Sequence, residues 1–389
     1  SALVVLFAFL GGLGVRAAGG EGAYRQLGVY SEVLSRIRSD YVEERDLNQV
    51  TDGALHGLLE SLDANSSYLN AAEYRQYKAQ KQDGKGGLGA TLSKRFGYAA
   101  VVAVIPGGPA DKAGVQGGDI VEAIDGRSTR DMSLAEIRNL APGPVGSNIT
   151  FSIVRVRRSE PHRITVSRDL VQAPPIQSRM LENNAGYVKA VSLTKGKASE
   201  LSSRIRALEN AGARQLVLDL RNCAEGEISE GIAASRLFLK RGVIAYVQGQ
   251  KYPRETFTAE EDDAITSLPV VVLVNRGTAG AAEVVAAALL ENARADVVGS
   301  RTFGVGSIQK VLEIPDGSAL ILSIAKYYSP GGKAIQDVAV TPHILVVDPD
   351  EDLVQPEDGA EAPEEPQAPS APKEDDILRR ALTLIKERK

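Results

Sequence analysis

The stretch from residue 273 to residue 293 has the pattern of a strand, a glycine turn and a helix. In α/β enzymes a nucleophile often stands at such a junction, because the carboxyl ends of parallel strands share one ligand site. The turn holds neither Ser nor Cys, and Thr278 carries its only hydroxyl. The pattern therefore predicts a site at the end of this strand, while its composition leaves open whether the site performs nucleophilic chemistry.

The rest of the chain offers few other groups for catalysis. Cys223 is the single cysteine, which excludes an intrachain disulfide and a multi-cysteine metal site. The three histidines, His56, His162 and His343, lie far apart in sequence, so the pattern does not favour a histidine metal cluster, and any Ser-His-Asp triad would need one of them. We expect no metal and no cofactor. A net charge of −5 without a long Lys/Arg run gives no reason to expect nucleic acid.

The first twenty residues form a segment of their own. Their apolar run, Ala2 to Val15, is shorter than the roughly 20 residues that a membrane span needs. Residues 1–20 therefore predict a signal anchor or the remaining part of a signal peptide, with a buried core helix as the alternative. We expect an extracytoplasmic protein of the bacterial periplasm that this segment anchors to the inner membrane, and the single cysteine is compatible with that location.

The remaining residues predict a multidomain α+β protein. Residues 21–83 have helical periodicity and predict an N-terminal helical module. Residues 84–170 have short strands separated by turn signals, which predicts a small β-rich domain. Strands and helices alternate in residues 171–346, which favours a largely parallel sheet with its ligand site at the carboxyl ends of the strands. Residues 347–376 are acidic and Pro-rich and predict a flexible linker, and a short amphipathic helix follows in residues 377–389.

In this order the segments resemble the carboxyl-terminal processing peptidases, the tail-specific serine proteases of bacteria and plastids. The resemblance extends from about residue 25 to the end of the chain. It depends on several fragments in the same order as in the family: LDANSSYL (62–69), GGLGA (86–90), PGGPADKAGVQGGDIVEAIDG (106–126), LDLRN (218–222), VNRGTAGAAE (274–283), GSRTFGVGSIQ (299–309) and YYSPGGKAIQDVAVTP (327–342).

The resemblance implies a PDZ-like domain in residues 84–170, a peptidase core similar to the crotonase and Clp folds, and Ser–Lys dyad chemistry. In such a dyad a desolvated lysine is the general base for an adjacent serine. The family pattern places the nucleophile at Gly280, the base at Val305 and a glutamine that helps to orient the base at Gln309. Of these three family residues, only the glutamine is retained. The family's oxyanion turn corresponds to a segment in which Glu225 replaces the first glycine and Gly226 retains the second.

Neighbouring residues could replace the missing dyad. Thr278 lies two residues before Gly280, where the resemblance implies a structural turn residue. Lys310 lies five residues after Val305, an odd offset that turns it to the opposite face of a strand. Cys223 offers a thiol but has no histidine near it in sequence. We therefore predict a non-catalytic pseudopeptidase, with two alternatives: an active serine-type endopeptidase with displaced catalytic residues, or a structural protein of membrane-associated assemblies.

The PDZ-like segment predicts peptide binding. Gly87, Leu88 and Gly89 stand where converging backbone amides would hold a terminal carboxylate while the peptide adds a strand to the sheet. The alternative is that these glycines only allow a flexible entry into a strand. We expect the partners to be polypeptide C-termini or unfolded segments, and the protein to act as a scaffold, adaptor or decoy, with an active protease partner or a second copy of itself.

Overall fold

The computed structural model describes the chain in four ranges. They are residues 24–79, 86–155, 158–346 and 375–387. The predicted signal segment, residues 1–20, lies outside them, and of the predicted linker, residues 347–376, only Asp375 and Asp376 lie inside. Within the four ranges, no helix is long and apolar enough to cross a membrane.

The chain divides into two compact units, of which the first ends at Leu58 and the second holds the rest of the chain. Helix α1 spans residues 24–40, and helix α2 spans Leu47–Glu60. Asp46 stands just before α2, and its carboxylate accepts a hydrogen bond from the amide of Asn48 at 2.9 Å. Such a bond satisfies one of the amides that the first turn of a helix leaves without a partner.

A short strand interrupts the predicted helical module, residues 21–83. Strand β1 spans Ser67–Leu69, and its three residues are all buried. Helix α3, Ala71–Ala79, follows it. Asn70 caps α3 because its side chain accepts a hydrogen bond from the Glu73 amide at 3.0 Å, while the Glu73 carboxylate accepts one from the Asn70 amide at 2.8 Å. The strand was not predicted, since three residues are too few for a recognisable alternation.

The predicted PDZ-like segment forms one antiparallel sheet with two short helices. Its elements are β2 (Ala90–Arg95), β3 (Tyr98–Val104), α4 (Pro109–Lys112), β4 (Ile120–Ile124), β5 (Arg127–Ser128), α5 (Leu134–Leu140), β6 (Asn148–Arg155) and β7 (Arg158–Ser167). The strand order is β2-β3-β4-β6-β7, with β5 beside β4, so β2 lies at an edge. Ile149, Phe151 and Ile153 alternate along β6 and pack with Ile137 of α5 in the core of this sheet.

The predicted α/β core and the last helix supply the remaining α-helices and strands. These are β8 (Gln177–Leu181), β9 (Ala185–Lys189), β10 (Ser192–Leu193), α6 (Lys197–Asn210), β11 (Gln215–Asp219), β12 (Glu225–Gly226), α7 (Ile228–Arg236), β13 (Val243–Gln248), β14 (Glu255–Thr258), β15 (Val270–Val274), α8 (Ala281–Glu291), β16 (Ala295–Gly299), β17 (Ser307–Glu313), β18 (Ala319–Tyr328), β19 (Ile344–Leu345) and α9 (Asp376–Glu387). Six strands form a sheet in the order β19-β16-β15-β11-β9-β8. All neighbours in it are parallel except β8 and β9, which confirms the predicted sheet.

Helices cover both faces of this sheet. Leu216 and Leu218 of β11 pack in the apolar cluster that contains the buried side chains of α6, α7 and α8. Val217, between them, packs with Leu273 of β15 and Ile377 of α9 in a separate cluster. Because successive residues of a strand face opposite sides and both sides are buried here, these strands are continuous apolar runs in the sequence.

A second, antiparallel sheet in the same unit was not predicted. Its strands are β1, β18, β13 and β14 in that order, and β17 pairs with β18 as well. Ser67 of β1 lies opposite Ile321 of β18, so the segment after α2 is joined to the core by strand pairing. The partners in this sheet lie far apart in sequence, and no local pattern records which of them pair.

Arg221 connects α9 to the carboxyl end of β11. Its guanidinium donates to both carboxylate oxygens of Asp219 at 2.9 and 2.6 Å, and to both oxygens of Asp375 at 2.7 and 2.8 Å. The hydroxyl of Tyr187 also donates to Asp219, at 2.6 Å. Asp219 is fully buried. Since an unpaired buried carboxylate is strongly unfavourable, Arg221 is the charge that allows Asp219 to stand at this position.

Candidate functional site

The turn between β15 and α8 is attached to the end of β11 through Thr278. The side chain of Thr278 is fully buried. Its hydroxyl donates to the carbonyl of Leu220 at 2.8 Å and accepts a hydrogen bond from the amide of Asn275 at 3.0 Å. The hydroxyl therefore holds the turn both as a donor and as an acceptor. This is the structural role that the resemblance implied for it.

Two asparagines complete this attachment. The Asn275 side chain donates to the side-chain oxygen of Asn222 at 2.9 Å, and its own oxygen accepts hydrogen bonds from the amides of Asn222 at 2.9 Å and Gly277 at 3.1 Å. A Cβ at Gly277 would lie 2.3 Å from the Asn222 side chain, so a glycine is required there. The turns that follow β11 and β15 thus form one rigid unit.

Gly280 is the N-cap residue of α8, and its backbone has φ 60° and ψ −115°. Residues with a Cβ rarely adopt this conformation. Space is not the constraint, since a Cβ at this position would meet no heavy atom within 4 Å. The backbone at this turn therefore favours glycine, although a side chain placed there would have room.

Glu283 brings the predicted nucleophile and base positions together. Its carboxylate is fully buried, and one of its oxygens accepts hydrogen bonds from the amides of Gly280 at 2.9 Å and Val305 at 2.8 Å. The other oxygen accepts hydrogen bonds from the Gly304 amide at 2.8 Å and from the Thr302 hydroxyl. Burial raises the pKa of Glu283 to about 7, and the four donors oppose that rise.

Val305 lies in the loop that follows β16, and Gln309 lies on β17, the strand that this loop enters. Val305 is half-buried, and its isopropyl group can neither accept nor donate a proton. Gln309 is exposed on β17, and its side chain donates to the hydroxyl of Ser307 at 2.7 Å. That hydroxyl in turn donates to Gln336 at 3.2 Å. Lys310 is exposed on the same strand.

The predicted oxyanion turn lies next to Gly280, because the amide of Ala279 donates to the carbonyl of Cys223 at 3.0 Å. Burial raises the pKa of the Cys223 thiol far above its usual range, so the thiolate is not accessible at neutral pH. Glu225 keeps an exposed surface, yet desolvation raises the pKa of its carboxyl. At Gly226, which has φ 154°, a Cβ would lie 2.5 Å from the carbonyl oxygen of Leu193 on β10, so this glycine is required by strand pairing.

The predicted carboxylate loop of the PDZ-like domain lies apart from these turns. The amide of Gly87 donates to the carbonyl of Asp169 at 2.8 Å, so it is committed to the domain itself. Leu88 is 2% exposed and packs in the domain core. Within the described residues, the amides of Leu88 and Gly89 have no backbone acceptor. Of the three amides in the predicted loop, two are thus without a backbone partner in the described part of the chain.

Two cationic side chains cross the groove between β2 and α5. Arg138 of α5 donates to the carbonyl of Leu92 on β2 at 3.3 Å, and burial lowers the pKa of Arg138. Lys94 of β2 donates to the carbonyl of Met132, just before α5, at 2.7 Å. An added peptide strand would pair with the open edge of β2 and would have to displace the Arg138 contact.

Comparison with known proteins identifies the chain. The model of peptidase family S41 matches residues 184–346, and the model of the PDZ domain matches residues 101–155. The carboxy-terminal-processing protease of Bartonella bacilliformis is 32% identical over 334 residues, which cover 85% of this chain and 77% of that protein. This chain belongs to the carboxy-terminal processing protease family. The PDZ domain and the peptidase core that the resemblance implied are both matched.

Two further members of the family are similar over most of the chain. The carboxy-terminal processing protease CtpA of Bacillus subtilis is 32% identical over 322 residues, 82% of this chain and 69% of that protein. The solved structure of a photosystem II D1 C-terminal processing protease superposes with a TM-score of 0.68 at 26% identity, and the match covers 82% of this chain and 86% of that one. Each of these two matches covers 82% of this chain.

The site of this family member contains residues that sequence reasoning did not identify as functional. Thr302 lay inside a family fragment, but only the structure shows its buried hydroxyl bonded to Glu283. Arg95, Arg276 and Arg301 come from three separate segments, and the positive charges of Arg276 and Arg301 act on Arg95. No local pattern could have shown that they meet.

Gly280→Ala should lower the free energy of unfolding by about 1–3 kcal/mol, because alanine is strained at this φ and ψ. The matched control is Gly57→Ala in α2, where a Cβ also meets nothing within 4 Å but the backbone is helical. The control should be stabilised by about 0.4–1 kcal/mol. Urea unfolding measures both variants. An equal change in the free energy of unfolding of both variants would contradict the inferred backbone strain of alanine at position 280.

Glu283 should make stability depend on pH. Its pKa is about 7 when folded and close to 4.5 when unfolded, so the folded protein binds the additional proton between these values. The free energy of unfolding should therefore fall as the pH rises from about 4.5 to about 7, by on the order of 3 kcal/mol. Thermal unfolding across this range measures the slope. Glu283→Gln should be less stable at every pH but should lose this slope, and an unchanged slope would contradict the assignment.

Proposed function

We propose that this member of the family binds polypeptides without cleaving them through a Ser–Lys dyad. The observation that carries the proposal is the meeting of the Gly280 and Val305 amides at one oxygen of Glu283. The two positions that the resemblance assigns to nucleophile and base are thus adjacent, as a dyad would require. Neither position has a side chain that can attack a carbonyl or transfer a proton.

The neighbouring groups do not supply a replacement nucleophile. The Thr278 hydroxyl is buried and already bonded to two backbone groups. The Cys223 thiol is buried, and its raised pKa keeps it protonated. Both observations support a site that has kept its scaffold and does not perform the chemistry. An active endopeptidase with displaced residues is the competing function.

The PDZ domain supports the binding role. Strand β2 lies at the edge of its sheet, and the Leu88 and Gly89 amides precede it. An extended peptide can add a strand to such an edge while its terminal carboxylate accepts hydrogen bonds from those amides. We propose that the protein presents bound C-termini as a scaffold, adaptor or decoy, to an active protease or to a second copy of itself.

We also propose an extracytoplasmic location in the bacterial periplasm, with attachment to the inner membrane. The support is the apolar run in residues 1–20 and the presence of a single cysteine, Cys223. Fractionation of cells that express the full chain measures this directly. Recovery in the cytoplasmic fraction would contradict it.

The purified protein should not hydrolyse an unstructured peptide, because the site has no activated nucleophile. The triple variant Gly280→Ser, Val305→Lys and Glu225→Gly should gain measurable turnover, since the surrounding hydrogen bonds are in place. The matched control keeps Val305 and carries only the other two changes, so it lacks the base. Turnover by the unmodified protein that is lost in Thr278→Ala or Cys223→Ala would instead establish the displaced-residue peptidase.

A peptide with a free C-terminus should bind at least about tenfold more tightly than the same peptide with an amidated C-terminus, because a carboxylate accepts stronger hydrogen bonds from backbone amides. Fluorescence anisotropy with a labelled peptide measures both affinities. Equal affinities would remove the C-terminal binding role and favour a structural protein of membrane-associated assemblies.

A further inference from the structure

Three arginines from distant segments gather beside the turn at Gly280. Arg95 ends strand β2 of the PDZ domain, Arg276 lies in the turn after β15, and Arg301 lies in the loop after β16. Burial and the positive charges of Arg276 and Arg301 all lower the pKa of Arg95. No motif in the chain indicates this cluster, since only the packing of the two domains brings its members together.

Contacts of the loop after β16 connect the positions of the three arginines. The guanidinium of Arg95 lies over the ring of Phe303 at 5.6 Å. The amide of Phe303 donates to the carbonyl of Thr278 at 3.0 Å, two residues beyond Arg276. Arg301 donates to the carbonyl of Val338 at 2.9 Å, and the amide of the neighbouring Asp337 donates to the carbonyl of Gly304 at 3.2 Å, so the Arg301 guanidinium lies beside the loop that holds Phe303. Arg95 therefore contacts the loop that is itself bonded to the turn carrying Arg276.

The cluster has no internal counter-charge. Within the described residues, none of the three guanidiniums forms an ion pair with a carboxylate, whereas Arg155 and Arg221 are each paired with a buried aspartate. Arg95 and Arg276 are half-buried. Like charges held together with reduced access to water repel each other, and a bound anion would relieve that repulsion.

We propose that Arg95, Arg276 and Arg301 form a subsite for the carboxylate side chains of an acidic polypeptide segment that lies across the turn at Gly280. Guanidinium groups match carboxylates in geometry and bind them through paired hydrogen bonds. The subsite is built from both domains, which suits an extended chain better than a small anion. The proposal rests on the proposed polypeptide-binding function and adds that the peptidase core prefers polypeptide segments with acidic side chains.

The test uses two labelled peptides that differ only in having Glu or Gln at their central positions. Both peptides have an amidated C-terminus, so that the PDZ carboxylate loop contributes to neither. Binding to the full chain is measured by fluorescence anisotropy at low and at high salt. The acidic peptide should bind at least about tenfold more tightly at low salt, and the difference should shrink as salt screens the charges.

Arginine variants locate the effect. Arg95→Gln and Arg276→Gln should each weaken binding of the acidic peptide about tenfold and leave the Gln peptide unchanged. Arg95→Lys keeps the charge but not the paired hydrogen bonds, so its affinity for the acidic peptide should lie between those of the unmodified protein and Arg95→Gln. The matched control is Arg254→Gln, an exposed arginine that also lies over an aromatic ring, that of Tyr246 at 3.8 Å. Its affinity for the acidic peptide should not change.

Three results would overturn the proposal. The first is equal affinity for the Glu and Gln peptides. The second is an equal loss in the control Arg254→Gln, which would indicate a general charge effect. The third is displacement of the acidic peptide by inorganic phosphate at an ionic strength well below that at which sodium chloride displaces it. That result would indicate a small-anion site. None of these results depends on the preference for a free C-terminus, so the proposed PDZ function succeeds or fails separately.

Discussion

The buried carboxylate of Glu283 is the interaction on which the candidate site depends. It accepts hydrogen bonds from the amides of Gly280, Gly304 and Val305 and from the hydroxyl of Thr302. The turn after β15 and the loop after β16 therefore share one acceptor. A buried carboxylate is unfavourable unless its oxygens are satisfied, so each of these donors must remain in position for the carboxylate to be tolerated.

The hydrogen bonds that hold the turn do not depend on the side chains at positions 280 and 305. The hydrogen bonds to Glu283 come from backbone amides and from Thr302, and none involves the side chain at position 280 or 305. The attachment through Asn222, Asn275 and Thr278 is equally independent of those two side chains. The geometry of the turn is therefore compatible with glycine and valine at these positions, because their side chains take no part in these hydrogen bonds.

The charges around the turn differ in how they are satisfied. Asp219 is buried and fully paired with Arg221, and Glu283 is buried and held by neutral donors. Arg95, Arg276 and Arg301 are brought together without a carboxylate partner among the described residues. Paired buried charges contribute to a fixed structure, whereas a gathered, unpaired set of one sign is suited to an external ligand of the opposite sign.

The sequence by itself determined the family, and its motifs predicted the order of the domains and the two positions assigned to the dyad. Motifs such as the one around Gly280 are local, and a parallel sheet follows from apolar runs that alternate with helices. Strand β1 and the second, antiparallel sheet escaped this reasoning, because a short strand has no measurable period and its partner β18 is far away in the chain.

Only the tertiary structure decided how the pieces of the site interact. The positions of Gly280 and Val305 could be read from the motifs, but their meeting at one oxygen of Glu283 depends on how the turns after β15 and β16 are placed. The positive cluster around Arg95 depends on the packing of the PDZ domain against the core. Hydrogen bonds and charge interactions act through space, and a linear pattern records only which groups are present, not which of them come within reach.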